Sequence, residues 1–273
     1  MKIRMLIAAF AFGTALVVTG FVLAKTPDEL FDSAVQHEMQ GEHSEAESQF
    51  KECLQSYREE TKHNSAFCEK VADTLFYLGR LHVETGAYSE AESEYEESLL
   101  IWRKCGNNCK IALVLEDFAR FHVIKGDESK ALSEYDECLQ IFRGLAEEFD
   151  FYCFDVAETL TFLGMTHAIT GNESEAISNL EESLQVFRDL ARGFPEIYNI
   201  YVAQTLNSLG NIHFIVGEYS KAESELEECL QIYRDFVTKS AEVTFETTVM
   251  REERKVYNVS AYESVTLIRQ IVD

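Results

Sequence analysis

LGRLHVETGAYSEAESEYEESLLIWR (residues 78–103) and LGMTHAITGNESEAISNLEESLQVFR (residues 163–188) carry the same Gly, His, Ser, Glu, Ala, Leu and Arg at matching positions. The pattern occurs three more times, at residues 33–58, 118–143 and 209–234, and no copy contains an internal gap. The copies start roughly 40 to 46 residues apart, a period that indicates stacked supersecondary units. Each such unit has an apolar face that only its neighbours can bury.

Two columns of the repeat predict a turn between two helices. Each copy has a central glycine and a serine three residues after it. We expect the glycine to end the first helix in a left-handed conformation and the serine to cap the second helix. In three copies a glutamate follows at the spacing of a capping box. The glycines are Gly41, Gly86, Gly126, Gly171 and Gly217, the serines are Ser44, Ser89, Ser129, Ser174 and Ser220, and the glutamates are Glu47, Glu92 and Glu223.

Small residues recur at three further positions and predict close packing of the two helices. One column lies in the first helix and two lie in the second. The last column contains three cysteines, which we interpret as buried thiols that fill a tight packing site. The columns are Ala34, Gly79, Ala119, Gly164 and Gly210; Ala46, Ala91, Ala131, Ala176 and Ala222; and Cys53, Ser98, Cys138, Ser183 and Cys229.

This pattern, with a leucine at the fourth position of each unit, resembles the tetratricopeptide repeat. The long period and the sequences VAETLTFLG (156–164) and VAQTLNSLG (202–210) are similar to the longer variant of kinesin light chains. The resemblance covers about residues 26–237 and implies an all-α, right-handed α-solenoid of five helix pairs whose first helices line a concave groove. The proline that usually closes each repeat is absent, so we expect longer second helices. The leucines are Leu30, Leu75, Leu115, Leu160 and Leu206.

The repeat region, residues 25–240, divides into five units. Thr26, Pro27 and Glu29 form a helix-start signal for the first unit. The glycine pattern lapses after Val237, so we assign residues 241–273 to C-terminal capping helices that would cover the open end of the stack. The units span about 26–67, 68–108, 109–152, 153–198 and 199–240.

The first 24 residues form a separate segment. Lys2 and Arg4 precede an uncharged apolar run, residues 5–24. We interpret residues 1–24 as a signal peptide that is cleaved before Lys25. The alternative is an uncleaved N-terminal helix that anchors the chain, for which the run is just long enough. In both cases we expect the rest of the chain outside the cytoplasm, secreted or periplasmic, and a membrane is involved only if the anchor is retained.

The chain is strongly acidic, with a formal net charge of −24 at pH 7. Such a surface repels phosphate backbones, which argues against a nucleic-acid partner. The charge favours a basic protein or peptide as the partner. The alternative is that the charge only keeps an elongated protein soluble.

Histidine fills one column in all five copies. Five aligned imidazoles suggest a row of metal sites. However, stacked helix pairs lie about 10 Å apart, so imidazoles of neighbouring repeats cannot all lie about 2 Å from one Zn²⁺ ion, as its nitrogen ligands must. We therefore predict packing with one hydrogen bond, and no metal or cofactor. The histidines are His37, His82, His122, His167 and His213.

A second column pairs an aromatic residue with an arginine. We expect the aromatic ring in the core and the arginine paired with acids of the second helices. The pairs are Tyr57-Arg58, Trp102-Arg103, Phe142-Arg143, Phe187-Arg188 and Tyr233-Arg234.

Cys105 and Cys109 flank the shortest connector between repeats. The expected oxidising compartment favours a disulfide between them. Cys68 and Cys153 occupy equivalent places before their first helices, and a bridge from Cys68 to Cys105 or Cys109 is the open alternative. A metal site has less support, because no paired CxxC motif occurs.

No stretch matches a catalytic, phosphate-binding or dinucleotide-binding motif, so we predict that the protein is not an enzyme. The leading hypothesis is a non-catalytic scaffold that binds a protein or peptide in its concave groove. The alternative is a structural or assembly protein that self-associates through the solenoid ends or the acidic convex face.

The resemblance implies that exposed positions of the first helices line the groove. Aromatic side chains would anchor a partner, and asparagine can pair with both the donor and the acceptor of a peptide backbone. Asn207 and Asn211 resemble the asparagines by which kinesin light chains hold cargo peptides. Glu116 and Asp117 are groove positions beside Arg120. The predicted binding residues are Phe76, Tyr77, Arg80, Arg120, Phe162, Met165, Asn207, Asn211 and Phe214.

Overall fold

The computed structural model describes residues 25–243, and in this range the chain folds into ten α-helices and two short 3₁₀-helices, Ser65–Phe67 and Asp150–Tyr152. The all-α prediction is confirmed. None of these helices combines the length and the apolar character that are needed to cross a bilayer. Residues 1–24, interpreted as a signal peptide or anchor, and nearly all of the predicted capping segment lie outside the described residues. The helices are α1 (Pro27–Met39), α2 (His43–Thr61), α3 (Cys68–Thr85), α4 (Tyr88–Cys105), α5 (Asn108–Lys125), α6 (Glu128–Ala146), α7 (Cys153–Ile169), α8 (Glu173–Gly193), α9 (Pro195–Ile215) and α10 (Tyr219–Val243).

Helices that follow one another in the chain pack as neighbours. Contacts join α1 to α2, α5 to α6, α7 to α8 and α9 to α10, and the second helix of a pair packs on the first helix of the next, as in α2–α3, α6–α7 and α8–α9. The chain divides into two compact units, one ending at Ile101 and the other beginning at Trp102, so the division falls within α4. Each unit has its own core. Phe50 and Leu75 lie in that of the first, and Leu180, Leu206 and Leu226 in that of the second.

A single glycine makes the turn between the two helices of each pair. Gly86 has φ 79° and Gly126 has φ 76°, the left-handed conformation that ends a helix. The next residue donates its N–H to the carbonyl of the column histidine, as Ala87 does to His82 at 2.8 Å. This is the long hydrogen bond of a Schellman motif. The predicted role of the glycines is confirmed in all five repeats, because the same bond joins Glu42 to His37, Asp127 to His122, Asn172 to His167 and Glu218 to His213.

The predicted serine caps are wrong. The second helices start two residues earlier than expected, so Ser44 and its equivalents are the second residues of their helices. In α6 the N-cap is Asp127, the residue directly after the glycine, and its side chain accepts from the Lys130 N–H at 3.4 Å. Because this residue also completes the Schellman motif, the turn has no room for a serine cap. The predicted helix start at Thr26 is confirmed, since Thr26 and Glu29 form a reciprocal capping box.

The small residues allow the helices of a pair to approach closely, as predicted. A Cβ atom placed on Gly210 would lie 2.6 Å from Leu226 Cγ. The Cys/Ser column is fully buried, and Ser98 donates its hydroxyl to the Ala72 carbonyl on the partner helix at 2.8 Å. Equivalent bonds join Cys138 to Ala112 and Ser183 to Ala157.

The column arginines form ion pairs with acids of the following repeat. Arg188 on α8 binds both carboxylate oxygens of Glu228 on α10, at 2.7 and 2.6 Å. The predicted pairing with acids of the second helices is confirmed. Equivalent pairs join Arg58 to Glu97, Arg103 to Glu137 and Arg143 to Glu182.

Removing one of these pairs is expected to have a small, salt-dependent effect, because the side chains are nearly half exposed. A double-mutant cycle of Arg188→Ala and Glu228→Ala should give a coupling free energy of about 0.5 kcal/mol in dilute buffer. Urea denaturation measures it. In about 1 M NaCl the coupling should approach zero, because the Debye length then falls to about 3 Å. A coupling that salt leaves unchanged would contradict the electrostatic account.

Candidate functional site

The histidine column forms buried hydrogen bonds inside the helix pairs. His82, His122 and His213 are almost fully buried, and each Nδ1 lies 2.6 to 2.7 Å from a glutamate carboxylate on the second helix. The predicted packing with a hydrogen bond is confirmed in these three repeats, and His82 differs from the prediction of a single bond because its Nε2 also lies 3.3 Å from Glu47 Oε1. The glutamates are Glu94, Glu134 and Glu225.

The other two repeats depart from this arrangement, because the amides Gln49 and Asn179 occupy the glutamate position. His37 bonds instead to Glu42 in the turn, at 2.5 Å. Within residues 25–243, no group of three or more His, Cys, Asp or Glu side chains is arranged to hold a metal ion.

The cysteines of the repeat columns are buried. Burial raises the pKa of Cys53 to about 11 and that of Cys229 to about 12. Thiols with so little thiolate are poor nucleophiles, in agreement with a packing role. Cys105 is exposed and Cys109 is half-buried, and the bridge between them stays a prediction.

The first helices present three neighbouring positions whose residues vary strongly among the repeats. These positions contain all the predicted binding residues except Phe214, and none of the predicted residues is fully buried. The turn-glycine, small-residue and leucine columns keep one residue type or size, whereas these columns mix aromatic, charged, amide and aliphatic side chains. They are Phe31, Phe76, Glu116, Thr161 and Asn207; Asp32, Tyr77, Asp117, Phe162 and Ser208; and Val35, Arg80, Arg120, Met165 and Asn211.

In the first unit, the structure brings Phe76, Tyr77 and Arg80 together. The Arg80 guanidinium lies 5.6 Å from the centre of the Tyr77 ring and 5.9 Å from that of Phe76. Tyr77 also stacks on the buried Phe50 and meets the edge of Phe31. Tyr77 therefore has a packing role that the sequence did not suggest, and only part of its surface remains for a partner.

In the second unit, Arg120 is the centre of a mixed cluster. Its guanidinium lies 2.6 Å from Glu116 Oε1 and 2.9 Å from Asp117 Oδ1. It also lies 4.8 Å from the centre of the Phe162 ring, within the range of a cation–π interaction. Phe162 stacks on the buried ring of Tyr135 at 6.0 Å. Two predicted binding residues, one on α5 and one on α7, are thus in direct contact.

Two carboxyl groups beside Arg120, those of Glu116 and Glu158, are difficult to ionise. Glu116 is only 4% exposed, and burial raises its pKa to about 7. Arg120 opposes the shift, whereas Glu158 and Asp117 add to it. Burial also raises the pKa of Glu158, against the effect of Arg120. One guanidinium therefore faces three carboxyl groups, and a further cation would be stabilised there.

The asparagine pair lies on α9. Asn207 and Asn211 are half-buried and one helical turn apart. The Asn207 Oδ1 atom is buried and accepts no hydrogen bond within the part of the chain that the structure describes. An unpaired buried acceptor costs about 1–3 kcal/mol, so a ligand that donates to it is favoured. Phe214 packs on Tyr219 with ring centres 5.5 Å apart, and Met165 is exposed.

Sequence reasoning missed two members of the Arg120 cluster, Tyr135 and Glu158, and the burial of a third, Glu116. Tyr135 belongs to a column of the second helix that otherwise holds core residues, namely Phe50, Tyr95, Leu180 and Leu226. Its ring stacks on that of Phe162 in the next repeat, and no local sequence pattern predicts this contact.

Comparison with known proteins agrees with this architecture. The family model of the tetratricopeptide repeat matches residues 155–235. BtubC (BKLC) from P. vanneervenii has a similar structure, with a TM-score of 0.59 and 16% identity over 90% of this chain and 86% of that chain. The putative kinesin light chain with nearly identical TPR-like repeats from Podosopora anserina gives a TM-score of 0.60 and 17% identity over 76% and 96%.

A STAND protein with a tetratricopeptide repeat sensor from Pyrococcus horikoshii gives a TM-score of 0.66 and 14% identity over 89% of this chain and 34% of that chain. At such identities these solved structures share the fold. No curated protein matches the chain. The matched segment, the five copies of the pattern and the paired helices lead to one conclusion: residues 155–235 are tetratricopeptide repeats, and the described chain has a fold similar to that of kinesin light chain repeats.

Proposed function

We propose that the protein is a non-catalytic scaffold that binds a protein or peptide on the variable face of its first helices. Repeats of this family generally serve protein–protein interaction. The observation that carries the proposal is the contrast between columns. The turn-glycine, small-residue and leucine columns hold one residue type or size in all repeats, whereas the three first-helix columns change their chemistry from repeat to repeat and are exposed or half-buried except at Glu116. Packing does not require that variation, and recognition of a partner does.

The proposed partner is basic where it meets the Arg120 cluster. Three carboxyl groups there share one guanidinium, and the pKa of Glu116 and of Glu158 lies above its usual range. A lysine or arginine from a partner would favour ionisation of these groups and form charge-assisted hydrogen bonds with them. Phe162 offers an adjacent apolar surface.

We place this scaffold outside the cytoplasm. The support is the sequence of residues 1–24, which has the charge and the apolar run of a secretion signal. The intact mass of the protein recovered from its source organism tests this placement. A mass that corresponds to a chain starting at Lys25 supports secretion, and a mass that includes residues 1–24 supports an anchor.

The asparagine pair provides the sharpest test of the binding face. Selection of a random displayed peptide library on the wild-type protein yields a panel of binders, whose affinities are then measured by titration calorimetry. Asn207→Ala should weaken them about two- to tenfold, the effect of one lost hydrogen bond. The free energy of unfolding should not fall, since Oδ1 has no partner within the described chain that Ala would remove.

Gln185→Ala, an exposed amide on the second helix α8, is the matched control and should leave the affinities unchanged. Equal affinities for wild type and Asn207→Ala across the panel would contradict the proposed face. Phe162→Ala is a poorer test, because that ring also packs on Tyr135.

The second candidate function is self-association through the solenoid ends. Polar residues in the first repeat disfavour such an interface at the N-terminal end. Ser33 and Gln36 stand where later repeats have the fully buried Leu78 and Leu81, and Gln36 is exposed. A polar outer face is what a terminal capping repeat needs to remain soluble. Light scattering across a wide concentration range should therefore give a constant mass. A mass that rises with concentration would favour assembly.

A further inference from the structure

An exposed isoleucine lies near the end of the first helix in each of the last three repeats. Ile124, Ile169 and Ile215 occupy the same column of the repeat, in the last turns of α5, α7 and α9. They are 57%, 61% and 73% exposed. A single apolar side chain on a surface is ordinary, whereas the same side chain in three successive repeats forms a row. We call these three residues the isoleucine row, and all of them lie in the second unit.

The fold does not require the isoleucine row. The same column holds Glu84 in the second repeat, so a charged side chain is compatible with the glycine turn that follows. Isoleucine also has a lower helix propensity than alanine, lysine or glutamate. Neither core packing nor helix formation therefore accounts for the row, and exposed apolar surface that recurs in this way is typical of interaction sites.

The isoleucine row continues the variable face of the first helices. Each isoleucine follows a residue of that face by four positions, and residues four apart in a helix lie on the same side, one above the other. Met165 is itself exposed, so apolar surface extends from Ile169 toward the middle of the face. A partner that lies across the face can therefore contact the row and the Arg120 cluster together. The preceding residues are Arg120, Met165 and Asn211.

The spacing of the isoleucine row selects a conformation for this partner. First helices of neighbouring repeats are in contact, since the ring centres of Phe154 on α7 and Tyr201 on α9 are 4.9 Å apart. Packed helices have axes about 10 Å apart. A polyproline II segment has three residues per turn and rises about 3.1 Å per residue, so each of its edges presents a side chain about every 9.3 Å. A β-strand presents side chains on one face about every 6.6 Å, which does not match the row.

The charges beside the α5 end of the row favour a basic partner. Arg120, one turn from Ile124, faces three carboxyl groups, those of Glu116, Asp117 and Glu158. Residues one turn apart are separated by about 5.4 Å along a helix, which a lysine or arginine side chain can span. A cation next to the apolar residue that meets Ile124 would therefore reach these carboxyl groups and form charge-assisted hydrogen bonds with them.

The glycine turns beside the row add negative charge. Glu128, Glu173 and Glu175, at the starts of the second helices, form no ion pair with any residue between 25 and 243. The lysines near these turns already have partners within the second unit, so they do not balance the three glutamates. Their contacts are Lys130 with Asp127, Lys221 with Glu218, and Lys125 with the Phe121 ring.

We propose that the isoleucine row binds a basic segment of a partner protein in the polyproline II conformation, with an apolar residue at every third position and a lysine or arginine beside the residue that meets Ile124. The three apolar side chains would lie on the three isoleucines. Such a segment has no internal hydrogen bonds, so its backbone can bond to the side chain of Asn211, one turn before Ile215. The segment is the partner class of the scaffold function proposed above, on which this assignment rests.

Two fluorescently labelled peptides of identical composition test the spacing. The first has leucine at its first, fourth and seventh positions, lysine at its second and proline at the others. The second keeps the lysine but has leucine at its first, third and fifth positions, so the three-residue period is broken. Fluorescence anisotropy with the intact protein should show at least about tenfold tighter binding of the first peptide, because the second loses two of three apolar contacts.

Ile169→Gln should weaken binding of the first peptide about tenfold, since it removes one of the three contacts. The amide is close in size to Glu84, which the fold accepts in this column, and adds no charge. Ile197→Gln is the matched control, because Ile197 is 52% exposed in the same unit but lies at the opposite end of a first helix. It should leave the affinity unchanged. A third peptide, with glutamate in place of lysine, should bind about tenfold more weakly than the first.

Equal affinities of the first two peptides, or an affinity that Ile169→Gln leaves unchanged, would overturn the proposal. Failure of the first peptide to bind at millimolar concentration would do the same. A mass that rises with concentration in the wild type but not in Ile169→Gln would instead assign the row to contacts between copies of the chain, and would also refute the proposal.

The scaffold function is judged separately, by its dependence on Asn207. Library-selected peptides that lose affinity in Asn207→Ala, yet lack the three-residue period and bind Ile169→Gln as well as the wild type, would leave the scaffold function standing while the assigned partner class fails. Selected peptides that are indifferent to Asn207→Ala would contradict the scaffold face itself.

Discussion

Gly210→Ala is expected to lower the free energy of unfolding by about 2 kcal/mol, the typical effect of overpacking a tight helix contact. The new Cβ would lie 2.6 Å from Leu226 Cγ and 3.3 Å from the Ala222 carbonyl oxygen. Leu226 is fully buried and cannot move aside without disturbing its neighbours. The helices α9 and α10 must therefore separate, and the higher helix propensity of alanine offsets only about 1 kcal/mol of that effect.

Gly144→Ala is the matched control, because Gly144 lies in α6 with nothing within 4 Å of its would-be Cβ atom. It should raise the free energy of unfolding by about 0.5–1 kcal/mol through helix propensity alone. Urea denaturation of both variants and the wild type measures the two effects. If Gly210→Ala were as stable as Gly144→Ala, the close approach of α9 and α10 would not be as tight as the structure indicates.

The stability of the protein is expected to fall as the pH rises from about 4.5 to about 7, and Glu116 should cause much of the fall. Its folded pKa is raised from 4.5 to about 7 by burial. Between those values the folded chain keeps a proton that the unfolded chain has released, so the stabilisation is complete below about pH 4.5 and is lost as the pH passes 7. The full effect of such a shift is about 3 kcal/mol.

Glu116→Gln should remove most of this pH dependence, because the amide resembles the protonated carboxyl group at every pH. Thermal or urea denaturation between pH 4.5 and 8 measures it. A residual slope of the same sign should remain, since burial also raises the pKa of Glu158 and of Asp155. Asp150→Asn, at an exposed carboxylate, is the control and should leave the slope unchanged. An identical slope in Glu116→Gln would show that another group is responsible.

The repeat pattern made most of the fold predictable. Glycine at a fixed place between two helical patterns has few structural roles, so Gly86 and its equivalents identified the turn. The small residues opposite one another, such as Gly210 and Ala222, identified the close helix contact. The prediction of the serine caps was wrong because one residue can both complete a Schellman turn and serve as the N-cap of the next helix. The sequence pattern favoured Ser44 as the cap, whereas the N-cap is Glu42, two positions earlier.

The candidate site was less predictable, because its properties come from contacts between repeats. Glu116 occupies a column that holds phenylalanine in the first two repeats, and its burial depends on how α5 packs with its neighbours. Likewise, the stacking of Phe162 on Tyr135 joins two repeats whose sequences each look ordinary. The sequence indicated which face varies, but the distances that tie Arg120 to Phe162 required the structure.

The residue after each turn glycine donates its N–H to the first helix and accepts a hydrogen bond from the second helix with its carbonyl. The edge formed by the glycine turns should therefore not tolerate insertions. One additional residue there would break either the Schellman bond or the first hydrogen bond of the next helix, such as that from Ala131 to Asp127. The connectors impose no such limit, since they range from Phe194 alone to the longer stretch 62–67. Affinity tags, labels and grafted loops should therefore be inserted between Lys62 and Asn64. Insertions that lengthen the chain are expected to be tolerated only at the edge formed by the connectors.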